Sequence, residues 1–209
     1  VWSGLEEAAR QVLDEEAEKI EAAGGSVTAA HLREGSAPDE ILDLAAELQH
    51  DRYADEDYRM LAPWGFRTAR DGIRWHLIER QPGRFDFSTV EPLRQAAERS
   101  GVGVIWDICH YGWPDDVDPF LPGFPERYAR FARAFAQYIK DHSAAVPYYA
   151  PVVEMSFLAE AVGEWGIFAP FVRHRGYEAK CALVRAAIAG TEAVWAVDPR
   201  ARIVHCEPL

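Results

Sequence analysis

The stretch Gly103-Val104-Ile105-Trp106-Asp107-Ile108-Cys109, followed at once by His110-Tyr111-Gly112-Trp113-Pro114, decides the fold. From Gly103 to Trp106 no polar residue alternates with the apolar ones. A strand covered on both faces reads this way, and such strands belong to parallel sheets. Outward from it, strand-like runs alternate with helix-like runs. Phe66–Arg70, Val146–Glu154 and Arg202–His205 read as further strands, beside the strand over Val102–Cys109. Thr89–Ser100, Pro125–His142 and Gly176–Val197 read as the helices between them. The connection lengths suit right-handed βα units. No G-x-G-x-x-G or G-x-x-x-x-G-K-[ST] turn follows any strand, so a doubly wound nucleotide fold lacks its phosphate loop. The strand ends carry Arg, Trp, His, Tyr and Glu instead, as the active face of a (β/α)8 barrel does. A closed barrel typically takes about 250 residues. The expectation is therefore an α/β chain forming an incomplete (β/α)8 barrel of four to five βα units, preceded by a helical N-terminal segment.

That segment has its own pattern. Leu5, Ala8, Ala9, Val12, Leu13, Ala17 and Ile20 recur at helical spacing, and Gly24-Gly25 ends the run. Ser26–Arg33 reads as a short strand, 35–38 as a turn, and Asp39–Leu48 and Asp55–Leu61 as helices. Residues 1–50 carry a net charge of −9 and residues 51–209 only −3. This shift places a boundary near residue 50, giving a segment 1–49 and a domain 50–209.

Composition bounds the function. With 49% hydrophobic and 27% charged residues the chain is globular in class. A net charge of −12 opposes nucleic acid or an anionic membrane as partner. No run of 18 or more apolar residues occurs, so no membrane span is expected. Residues 1–10 lack the apolar core of a secretory signal, and the three cysteines (Cys109, Cys181, Cys206) are too scattered for a disulfide framework or a zinc site. A reduced, cytoplasmic setting follows. Nineteen Arg against three Lys, with no Asn, suggest a GC-rich bacterial gene and leave no N-glycosylation site. Asp115, Asp116 and Asp118 do not match a calcium loop, and His205, Cys206 and Glu207 are not expected to hold a metal. No cofactor is expected.

Three groups of residues point to chemistry. Glu154 ends the apolar run Pro151-Val152-Val153, where poor solvation favours the protonated form that a general acid needs. It reads equally as a strand-end glutamate paired with an arginine. Arg70 and Asp71 read as an ion pair in the sheet layer, or as a fixed guanidinium that orients a catalytic carboxylate. His110, Tyr111 and Trp113 follow the central strand, where aromatic rings stack on a sugar face and the imidazole bonds its hydroxyls.

On these residues the chain from about 50 to 209 resembles the first half of a family-1-type β-glucosidase-like glycoside hydrolase. The carrying pieces are Arg70-Asp71-Gly72-Ile73-Arg74-Trp75, Gln81 to Phe87, Trp106 to Pro114, and Pro151 to Phe157. The resemblance implies Glu154 as acid/base at the end of barrel strand four, with Arg70, His110 and Tyr111 lining the subsite at the scissile bond. Three departures accompany it. Val153 stands where the family has an Asn that bonds the sugar 2-hydroxyl. The family's nucleophilic Glu lies on strand seven, beyond the four or five strands expected here. The first barrel strand is not recognisable. Residues 5–48 resemble instead part of a universal stress protein, through Leu13 to Ala17, Gly24-Gly25, His31 to Gly35 and Pro38 to Ile41. That family's glycine-rich nucleotide loop is missing after Leu48, so ATP binding is not expected.

The expected function is retaining hydrolysis of O-glycosidic bonds on a carbohydrate substrate, weak or absent for want of the second carboxylate. The alternatives are a non-catalytic sugar-binding or interaction module and a stress-protein-like nucleotide binder. Open sheet edges predict self-association, and in a two-fold pair Asp107 is the nearest candidate for a second carboxylate.

Overall fold

The computed structural model describes residues 54–207, together with residues 10, 11, 14, 15, 18, 19, 21 and 22. The chain divides into two compact units, Val1–Ala45 and Ala46–Leu209. In the first, the described residues are helical and exposed, as expected over 5–23, and Gln11 donates to Glu15 at 3.1 Å. The strand expected at Ser26–Arg33 and the helix at Asp39–Leu48 lie outside the described residues. So do positions 24–41, which carry most of the stress-protein resemblance.

In the second unit, helical residues 54–61 lead into a short 3-10 turn, Ala62–Trp64. The described elements then run β1 (Thr68–Gly72), α1 (Trp75–Ile78), α2 (Glu91–Ser100), β2 (Gly103–Cys109), α3 (Phe124–His142), β3 (Tyr148–Val152), α4 (Met155–Ala159), a π turn (Glu160–Glu164), α5 (Gly176–Val197) and β4 (Arg202–Ile203). The sheet order is β1-β2-β3-β4, every pair parallel. Strands laid down in sequence order, each parallel to the last, continue in one direction around a barrel. A doubly wound sheet reverses its order part-way.

The sequence explains the helices. In α3, Tyr128, Phe131, Ala132, Phe135, Ala136 and Ile139 recur at three- and four-residue spacing and are buried, and Pro125 starts the helix. In α2, Leu93, Ala96 and Ala97 are buried, and Gly101 closes the C-terminus at φ +64 by donating to Ala97 and Glu98 carbonyls. The core is aromatic. Trp75 stacks on Phe131 with centroids 5.0 Å apart, and Phe135 meets Trp106 at 5.8 Å and Tyr149 at 5.9 Å. Buried Glu79 accepts from the Trp75 indole at 2.6 Å and the Gly83 N–H at 2.7 Å, and pairs with Arg127 at 3.2 Å. That satisfies a carboxylate which would otherwise be costly inside the core.

The first and third strands differ from expectation. Phe66 is exposed and donates to the Leu61 carbonyl, so it closes the preceding turn, and β1 starts two residues later at Thr68. Arg70 thus sits within β1 rather than at its end. Val146 is exposed, and β3 stops at Val152 because Glu154 adopts a left-handed φ of +49. α1, α4 and the π turn are too short to show in the sequence pattern.

α5 packs against α3, and its buried residues are mostly small, among them Ala179, Ala186, Gly190 and Ala193; Gly190 faces Tyr128 of α3. A methyl group on Gly190 would lie 2.4 Å from Tyr128 Cε1. Gly190→Ala is therefore expected to destabilise the unit by about 1–3 kcal/mol through overpacking, outweighing the gain of about 1 kcal/mol that alanine brings to a helix interior. Thermal unfolding reads this as a lowered midpoint; an unchanged or raised midpoint contradicts the packing described.

Candidate active site at the carboxyl end of the sheet

Three loops leave the carboxyl ends of the strands side by side. β1 pairs with β2 so that Gly72 stands opposite Asp107, and β2 with β3 so that Cys109 stands opposite Val152. The pairing runs past the strands: Val153 N–H donates to Cys109 O at 3.0 Å, and Glu154 N–H to Cys206 O at 2.8 Å. Residues 70–76, 107–112, 153–157 and 205–207 are brought together by backbone bonds rather than by loop chance.

Two residues here hold the left-handed conformation without being glycine: Tyr111 at φ +61 and Glu154 at φ +49. Each such residue costs about 1–3 kcal/mol and persists where its surroundings enforce it. The two touch: the Tyr111 hydroxyl donates a very short hydrogen bond to Glu154 Oε2. Tyr111 is held by rings, with His110 at 4.4 Å, Phe157 at 5.4 Å and Phe168 at 5.9 Å. Donation to a carboxylate raises the phenol's pKa, after burial, which is the larger cause. Glu154 is half-buried rather than enclosed by its apolar strand.

Next to this pair lies a charged one. Asp107 is 2% exposed, and its Oδ2 takes Arg70 Nε at 3.2 Å and His110 Nδ1 at 3.2 Å, while Oδ1 has no hydrogen-bond partner among the described residues. Burial pushes its carboxyl up to about 6 against the opposing influence of Arg70 and His110. Contact with the Cys206 side chain first, against the cost of burial, and then the charges of Asp107 and Glu154 push the Arg70 pKa up. Asp71 is engaged elsewhere, accepting from the Tyr58 hydroxyl and the Gly72 N–H, both at 2.8 Å. Arg70, Asp107, His110 and Tyr111 border a groove of about 580 Å³ that Arg74 and His76 also line. A larger cavity of about 820 Å³ lies at the amino ends of the strands, between Thr68, Val104 and Tyr148. Parallel α/β sheets carry their chemistry at the carboxyl end, so size does not decide here.

Comparison with known proteins adds the fold's relatives. No family model and no curated protein matches the chain. Solved structures do. A family 1 β-glucosidase from Thermotoga maritima superposes with a TM-score of 0.67 at 17% identity, over 75% of this chain and 37% of its own. The same enzyme in complex with isofagomine lactam gives 0.65 at 18% identity, over 75% and 37%. The β-glycosidase BGL167 gives 0.61 at 20% identity, over 75% and 45%. The chain spans less than half the length of these structures. The likeness is one of fold: a parallel α/β sheet matching part of a glycosidase (β/α)8 barrel.

Of the residues singled out in the sequence, Arg70, His110, Tyr111 and Glu154 converge. Trp113 does not join the groove lining; it packs on the core, 5.9 Å from Phe124. Trp75 is core. Asp107 is buried and bound to its own chain's Arg70 and His110, so it cannot serve a partner copy as a second carboxylate. Glu207 is likewise engaged, accepting from Ser156 N–H at 3.1 Å and pairing with Lys180 at 3.6 Å. Asp116, in the loop that does not match a calcium site, pairs with Arg127 at 2.7 Å. Arg74, His76 and the contact of Cys206 with Arg70 were not foreseen. A polar residue inside the doubly covered strand, Asp107, was the available signal. Among the described residues no group of three or more His, Cys, Asp or Glu suits a metal, and no helix is long and apolar enough to cross a membrane.

Asp107 gives a pH prediction. Its folded pKa of about 6 exceeds the unfolded value, so the stability it contributes is complete below about pH 4. It is lost as the pH rises through about 6. Asp107→Asn lacks this loss. Denaturant unfolding at stepped pH is expected to show the variant gaining on the parent by on the order of 2 kcal/mol between pH 4 and pH 7. A constant difference across that range contradicts the assignment.

Proposed function

We propose that the carboxyl-end site is a glycosidase-type acid/base site that binds a carbohydrate, with Glu154 as the acid/base. The observation that carries this reading is the Tyr111–Glu154 hydrogen bond between two strained residues at the carboxyl end of the sheet. In the reaction, Glu154 protonates the leaving glycosidic oxygen and then takes the proton of the attacking water. Tyr111 fixes the carboxyl and Arg70 sets the local positive charge, while His110 bonds sugar hydroxyls. Retention needs a second carboxyl about 5–5.5 Å away as nucleophile. The resemblance assigns that residue to a seventh barrel strand, beyond the four strands described. The reaction class we propose is β-glucosidase-type retaining hydrolysis, to which the described residues contribute the acid/base.

One observation favours the alternative of a non-catalytic sugar-binding module. Val153 is fully buried and offers the sugar 2-hydroxyl no hydrogen bond. Bonds to that hydroxyl supply several kcal/mol in such transition states. The two sheet edges, β1 and β4 among the described residues, are where we place self-association. The stress-protein-like reading, with its nucleotide, rests on residues 5–48 and has no support from the family and curated comparisons.

The test is a panel of p-nitrophenyl glycosides with the chain and its Glu154→Gln variant, alongside sugar calorimetry. Sugar binding with slow hydrolysis that Glu154→Gln abolishes is expected; binding with no hydrolysis in either protein selects the binding module. Hydrolysis unchanged in Glu154→Gln, or no sugar bound at all, contradicts the reading. Light scattering is expected to give a dimer or larger species; a monodisperse monomer refutes association through the edges.

A further inference from the structure

We propose that the outer face of α5 is a dimer interface, on which a second copy of this chain lays its own α5 antiparallel about a two-fold axis. This rests on the self-association placed above at the sheet edges; it assigns the β4 end and gives the pairing.

α5 is apolar on two opposite faces. One is buried within its own chain, through Ala179, Leu183, Ala186, Gly190 and Val194 among others. The other carries Tyr177, Cys181, Val184, Ile188, Thr191 and Trp195, which alternate steps of four and three residues. That is the repeat by which one helix packs along another. A helix packed on one side only turns polar residues outward. Here Tyr177 is 86% exposed, Ile188 55% and Trp195 46%. The seam is about 27 Å long. Its C-terminal half runs into a groove of about 580 Å³ beside the edge strand β4, lined by Thr191, Trp195, Ile203 and His205. The Trp195 indole donates to the Ala201 carbonyl at 3.1 Å, which fixes the ring at that groove.

The seam is complementary to itself. Arg185 and Glu192 lie seven residues apart on one flank of it. Both are exposed and in no ion pair among the described residues. A two-fold axis crossing the seam between Ile188 and Thr191 sets Ile188 opposite the second copy's Thr191, and Val184 opposite its Trp195. Each layer then meets a larger side chain with a smaller one. The same axis brings Arg185 alongside the second copy's Glu192, and symmetry makes every contact twice. Charges that flank such a seam set the partner and its orientation. An axis through the middle of the seam instead sets Arg185 against Arg185 and Glu178 against Glu192, which like-charge repulsion opposes. An isologous pair closes on itself, so the expected species is a dimer rather than a fibre.

The experiment is sedimentation velocity on the full chain, on Arg185→Glu, Glu192→Arg and Ile188→Glu, and on an equimolar mixture of the two charge variants. The parent chain is expected to be a dimer. Each variant raises the dimer dissociation constant about tenfold or more, with its helical circular dichroism retained. Mixing Arg185→Glu with Glu192→Arg restores the dimer, because each copy supplies the charge that the other lacks. A monomeric parent chain overturns the proposal together with the edge association. A dimer that Ile188→Glu leaves equally tight overturns the seam and leaves the edge association standing. Charge variants that dimerise like the parent, or a mixture that stays monomeric, overturn the antiparallel pairing.

Discussion

The backbone bonds that continue the ladder beyond the strands, Val153 N–H to Cys109 O and Glu154 N–H to Cys206 O, hold the candidate site together. They bring the peptide after β3 level with the ends of β2 and β4. With the register thus fixed, Tyr111 and Glu154 meet, and both are left-handed. A slip of one residue in β3 would send Glu154 to the other face of the sheet. The site is thus a consequence of strand pairing, and the aromatic core beneath α3 is what keeps the pairing in register.

On that frame the electrostatics are arranged around one buried carboxyl. Asp107 projects from a strand that is otherwise apolar and binds both Arg70 and His110 through a single oxygen. Arg70 therefore faces two acids, Asp107 in contact and Glu154 at longer range, and its charge is firmly retained. The arrangement gives a site with a fixed cation and a hydrogen-bonded carboxyl. Those are parts that a polyhydroxylated ligand can use. A second carboxyl for covalent catalysis is not supplied by Asp107 or by Glu207, since each is committed elsewhere.

Much of this was legible in the sequence. Gly103 to Cys109 was expected as a strand and is one, buried from Trp106 to Cys109 while Gly103 is exposed and Val104 and Ile105 are half-buried, and α5 was expected with the bounds it has. Arg70, His110, Tyr111 and Glu154 were expected together and are together. What escaped has physical reasons. Trp113 looks like a sugar platform, but ring packing on Phe124 wins over exposure. Asp107 was read as available because a sequence does not say which groups are already paired. Arg74 was quoted for the resemblance but not for the site, because the turn after β1 that sets it beside the groove carries no period in the sequence. The short α1, α4 and π turn span too few residues to carry a period.

The most direct test of the sugar site is amide chemical-shift mapping of the chain titrated with an aryl glucoside. The account predicts shifts at residues 70–76, 107–112 and 153–157, with little change at 142–148, the opposite end of the sheet. Shifts confined to that opposite end, or none at saturating ligand, would contradict it.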